Sequence, residues 1–68
     1  MNSMETAPKD GTWVLLSGGY WKDDAGRYEG TMAARWYSYA TESFWAVSVN
    51  YLGYDTRYEN PTGWMPMP

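Results

Sequence analysis

The sequence predicts an all-β domain: a small, strongly bent antiparallel sheet or an SH3-like barrel of four to five strands, with little or no helix. Three observations predict it. Apolar and polar positions alternate over residues 31–39 and again over 44–51, the period that sends successive side chains to opposite faces of a sheet. No stretch repeats apolar residues at helical spacing over several turns, so any helix is a single turn. Seven Gly and four Pro cut the chain into short segments. With 68 residues the chain holds one domain, residues 1–68. A polar segment with a turn fills 1–12, and the sheet or barrel fills 13–68.

The elements follow in chain order. Pro8-Lys9-Asp10-Gly11 presets φ early and permits positive φ late, which makes a turn. Trp13-Val14-Leu15-Leu16-Ser17 is a β-prone run stopped by Gly18-Gly19, and it reads as the first strand. Residues 18–30 hold four glycines and the Asp23-Asp24 pair, so they break regular structure and read as a long hairpin connection carrying Tyr20, Trp21 and Tyr28. In the second strand, Met32, Ala34 and Trp36 face one way and Ala33, Arg35 and Tyr37 the other. A connection at 40–43 leads to the next strand, with Trp45, Val47, Val49 and Tyr51 on one face and Phe44, Ala46, Ser48 and Asn50 opposite. Residues 53–62 read as a polar, tyrosine-bearing loop ending at Asn60-Pro61. Pro66 and Pro68 cannot donate to a ladder, so the tail is an edge strand or an extended closing segment, expected against the first strand.

Composition limits the core and the chemistry. Five Trp, seven Tyr and one Phe stand against three Val, three Leu and no Ile, so the core is expected to be aromatic, with Trp13, Trp36, Trp45 and Trp64 inside it. There is no Cys and no His, which removes disulfides, thiolate metal sites and the commonest general base. No catalytic residue, no metal site and no cofactor is expected. A net charge of −3 repels a phosphate backbone, so nucleic acid is not the expected partner. No segment approaches the length of an apolar membrane span and the first residues lack a leader's pattern, so the expectation is a cytoplasmic protein.

Glu5-Thr6-Ala7-Pro8-Lys9-Asp10-Gly11-Thr12 with Val14-Leu15-Leu16, then Ala34-Arg35-Trp36, Trp45, and a closing Pro61-Thr62-Gly63-Trp64-Met65-Pro66-Met67-Pro68 resemble the short phage and prophage proteins grouped as domain of unknown function five-five-one. The resemblance covers nearly the whole chain. It implies a small β protein of a phage, a prophage or its bacterial host, and it carries over no activity. That group more often has a histidine where Gly63 stands here, so no imidazole role transfers.

Four features compete as sites. Asp23, Asp24 and Glu29 could offer oxygens to a hard cation, but calcium loops need alternating ligands and a downstream bidentate acid, so a solvated loop is the better reading. Gly18-Gly19 with Lys22 lacks the Lys-Ser/Thr pair and helix of a phosphate loop and reads as structural punctuation. Glu42 and Glu59 read as surface acids, and Arg35 is expected to lie over Tyr37 or a neighbouring ring. The remaining feature is the aromatic band Tyr20, Trp21, Tyr28, Tyr54 and Tyr58, which falls in expected loops, where rings can meet a partner. Its competing reading is that the loops fold back and use the rings as core. Base stacking beside Arg27 and Arg57 is opposed by the acidic balance.

The sequence therefore points to a non-enzymatic interaction module that binds a protein partner or a second copy through that band. The alternative is a phage-encoded acidic inhibitor of a host defence enzyme or nucleic-acid-acting enzyme.

Overall fold

The computed structural model describes residues 1–23, 26–47 and 56–68, and among these the chain is all-β. A single 3-10 turn spans Met4–Thr6, with the Ser3 hydroxyl accepting from the Glu5 N–H at 3.2 Å. The strands are β1 (Val14–Ser17), β2 (Tyr20–Asp23), β3 (Gly26–Glu29), β4 (Met32–Tyr39), β5 (Glu42–Val47), β6 (Arg57–Glu59) and β7 (Gly63–Pro66). They form one antiparallel sheet in the order β3-β2-β6-β5-β4-β1-β7, open at both ends rather than closed into a barrel. The shortest dimension is 22 Å, whereas a flat sheet would be only a few Å thick in its Cα trace. The sheet is therefore strongly bent, and it buries one face by curving over it.

Period-two patterning accounts for the long strands. Val14 pairs with Ala34 and Leu16 with Met32, while Trp36 pairs with Trp45 and Ala34 with Val47. Antiparallel partners share a face, so these residues form one continuous core face. The proline-bearing tail pairs with β1, Leu16 opposite Trp64, as its missing donors require. The chain ends meet beside it: Asn2 and Trp64 exchange two backbone hydrogen bonds of 2.7 and 3.0 Å.

Three expectations are corrected. The stretch 18–30 does join the antiparallel pair β1–β4, but it is regular rather than broken, forming a second hairpin β2–β3, and the expected loop at 53–62 contains β6, so the described residues hold seven strands rather than four or five. These strands are three or four residues long, too short for alternation to stand out among glycines and charges. The β4–β5 connection is the two-residue turn Ala40-Thr41, because pairing continues to Tyr39 opposite Glu42. Finally, the centre of the core is aliphatic. Leu16, Ala34 and Val14 are at most 1% exposed, since side chains converge on the inside of a tight bend and only small or medium groups fit there. Trp45, Tyr58, Val47 and Ala7 complete the buried cluster, while Trp21, Trp36, Trp64, Met4 and Met32 pack round its margin.

Candidate functional site

The cross-strand register arranges the rings in a way the linear sequence does not announce. Tyr28 lies opposite Trp21, Trp21 opposite Tyr58, Tyr58 opposite Trp45, and Trp45 opposite Trp36. One aromatic row therefore crosses five strands on the core face, from β3 to β4. Trp21 stacks on Tyr28 with centroids 5.8 Å apart and on Tyr58 at 5.9 Å, and Trp36 meets Trp45 edge-on at 5.1 Å. Such pairs add roughly 0.5–1.5 kcal/mol each beyond the area they bury. The row is a brace that lets short strands at the β3 end share the stability of the long ones.

The expected aromatic band divides on this row. Trp21, Tyr28 and Tyr58 belong to it, and Tyr20 points to the opposite face, being one residue from Trp21 on the same strand. Tyr54 lies outside the described residues. All four described rings sit on strands, not in loops. Tyr58 is a framework residue, which corrects its placement on a binding surface: it is 3% exposed, and its hydroxyl donates to the Gly30 carbonyl at 2.6 Å while accepting from the Gly19 N–H at 3.0 Å. Trp21 is half-buried between two rings. Tyr28, at the free end of the row, is 40% exposed on a strand whose four residues all face solvent.

On the outer face, Tyr20 lies opposite Glu29 on one side and Glu59 on the other. The Arg27 guanidinium sits 4.1 Å over its ring and donates to Glu29 at 3.2 Å. Tyr20, Arg27 and Glu29, with Gly18, Gly19, Gly30 and Asn60, line an open depression of about 410 Å³. Gly19 is required there, because a Cβ would fall on the Glu59 carbonyl oxygen and within 2.7 Å of the Tyr58 ring. The depression offers a ring face, a guanidinium and a carboxylate: groups that hold a side chain or backbone by contact and hydrogen bond.

The five Lys and Arg residues of the chain all lie over rings: Lys9 over Trp36, Lys22 and Arg27 over Tyr20, Arg35 over Trp13, and Arg57 over Phe44. Arg57 also donates to Glu42 at 3.1 Å. The cations thus shield aromatic faces that the sheet leaves uncovered. Arg35 lies over Trp13, a neighbouring ring across the β1–β4 pair, as the sequence reading allowed. Trp13 itself is 40% exposed on the outer face, not in the core: with Val14 and Leu16 turned inward, alternation sends residues 13 and 15 out. That signal was present in the sequence once one face was fixed. Met65 opposite Leu15, together with exposed Met67, adds apolar surface at the β7 end that sequence reasoning did not single out.

Asp10 accepts the Thr12 N–H at 3.0 Å. Bonding to the Thr12 hydroxyl first and to that N–H second holds its carboxyl below the usual aspartate value. Among the described residues no three His, Cys, Asp or Glu side chains converge, and no helix is long and apolar enough to cross a membrane. Asp24, one of the candidate cation ligands, lies outside the described residues. Comparison with family models, curated proteins and solved structures gives no match.

Proposed function

We propose that this protein is a non-enzymatic interaction module that binds a protein partner, or a second copy of itself, through the β2–β3 hairpin. The observation that carries this reading is Tyr28: a ring 40% exposed on a fully exposed strand at the margin of the sheet, yet held in place by Trp21 behind it. A rigid, half-exposed tyrosine loses little freedom on contact, which is why such rings dominate interface energetics. The strand beneath it has, among the described residues, a strand neighbour on the β2 side alone, and such a sheet margin is the usual acceptor for an added strand. Tyr20 and its depression lie on the other face of the same hairpin, so a partner gripping the hairpin meets both. An origin in a phage or prophage is suggested by the terminal motifs alone.

The acidic-inhibitor alternative draws on the net charge of −3. It is the weaker reading, because Glu29 and Glu42 are each engaged by an arginine of the chain itself.

The test compares the wild-type protein with Tyr28→Ser in affinity purification from the native host, with denaturation curves run in parallel. The module reading expects Tyr28→Ser to stay folded, at a cost of about 1 kcal/mol from the lost stack on Trp21, and to lose the specifically retained protein, whether foreign or an untagged copy. Full retention by a folded Tyr28→Ser variant overturns it.

A further inference from the structure

Resting on the module reading above, we propose that the partner is a second copy of this chain, joined to the first by antiparallel two-fold pairing of their β3 strands with Tyr28 on the axis.

The two margins of the sheet differ. At β7 the margin is blunted by Pro66 and by Asn2, which bonds Trp64 in both directions. At β3 the run Arg27-Tyr28-Glu29 contains no proline, is exposed throughout, and has a strand neighbour only on the β2 side among the described residues. Edges of this kind pair with another chain unless something prevents it.

The side chains then select the register. Paired residues of antiparallel strands share a face, so a two-fold axis through this strand must pass by residue 27, 28 or 29. An axis at 27 sets Arg27 against Arg27, and an axis at 29 sets Glu29 against Glu29, and like charges directly opposite one another are unfavourable. An axis at Tyr28 sets each Arg27 against Glu29 of the second copy. Because Arg27 already contacts its own Glu29 at 3.2 Å, the two copies place four charges in alternation on the outer face. On the core face the same register brings Tyr28 against Tyr28. The aromatic rows of the two copies then run into one, continuous from Trp36 of the first to Trp36 of the second. Both faces favour the same register on independent grounds, and a two-fold contact uses up both β3 edges, leaving only the blunted β7 margins outside.

So short a strand buries less than the ~1,200 Å² of a standard stable interface, so the dimer forms reversibly and only at high concentration. Sedimentation velocity on the purified protein, from about 10 µM to about 1 mM to bracket such a weak contact, should show a rising dimer fraction. Arg27→Glu and Glu29→Arg, each alone, should weaken self-association by about tenfold or more, and the double exchange Arg27→Glu with Glu29→Arg should restore it. Since the chain has no Cys, Tyr28→Cys should oxidise to a disulfide-linked dimer, while Tyr20→Cys, on the other face, should not. A wild-type protein that stays monomeric throughout overturns the proposal; if Tyr28→Ser still loses a foreign partner in the affinity experiment, the module reading survives that result. A dimer indifferent to both charge reversals and to Tyr28 overturns the proposal, and the module reading falls with it where folded Tyr28→Ser also retains its partner in full.

Discussion

Replacing Tyr58 by Phe keeps the ring in the aromatic row and removes one oxygen, so it isolates what the hydroxyl contributes. That hydroxyl ties together three segments distant in sequence: the Gly19 N–H before β2, the Gly30 carbonyl after β3, and β6 itself. A net intramolecular hydrogen bond contributes about 0.5–1.5 kcal/mol, and a half-buried donor left without a partner pushes toward the upper end. Gly19 is half-buried, whereas Gly30 is exposed and regains water, so the expected loss is about 2 kcal/mol. For a domain of this size that lowers Tm by roughly 8–15 °C. The assay is urea denaturation followed by tryptophan fluorescence. The midpoint should fall while the slope m stays constant, because the buried surface is unchanged. Tyr28→Phe is the control and should shift stability by less than about 0.5 kcal/mol. If Tyr58→Phe unfolds at the wild-type midpoint, the hydroxyl does not couple the hairpin to the sheet and the reasoning fails.

Gly19→Ala should cost more than about 2 kcal/mol, because the atoms in the way are the Glu59 and Asn60 carbonyl oxygens as well as the Tyr58 ring; thermal denaturation reads it, and a loss under about 0.5 kcal/mol would contradict the close approach. Trp64→Phe removes an indole N–H that donates to the Ser3 carbonyl and the Thr6 hydroxyl, both at 3.1 Å. It should cost about 1 kcal/mol and speed amide exchange at Asn2, measured by NMR. The lowered pKa of Asp10 means that the folded state favours its ionised form: its small contribution is present above the ordinary aspartate range and is lost as pH falls through the folded value. An NMR titration should therefore find the Asp10 midpoint below that of a model peptide, and Thr12→Ala should raise it toward the ordinary value.

The elements legible from sequence were those long enough to show their period. Residues 31–39 and 44–51 alternate over several repeats, of which 48–51, with Val49 and Tyr51, lie outside the described residues, and the prolines of the tail announce an edge strand or closing segment. The hairpin and β6 were hidden for a physical reason. Arg27-Tyr28-Glu29 and Arg57-Tyr58-Glu59 each place one ring between two charges, a single repeat of the strand pattern that a solvated loop produces equally well. Their strand character comes from pairing with residues far along the chain, Trp21 with Tyr58 and Tyr58 with Trp45. The candidate site was legible only as an excess of rings. Which of those rings is buried depends on register, and register is a long-range property: it makes Tyr58 a core residue and leaves the chemically identical Tyr28 at the margin.

The most direct test of the account is the network of ring-to-ring nuclear Overhauser contacts in the dilute, monomeric protein. The account predicts an unbroken chain of contacts from Tyr28 through Trp21, Tyr58 and Trp45 to Trp36, with Tyr20 absent from it and lying instead against the Arg27 side chain. Contacts of Tyr20 with Trp21 and Tyr58, or a Tyr28 ring with no neighbour at Trp21, would contradict the register from which the brace, the buried Tyr58 and the exposed edge all follow.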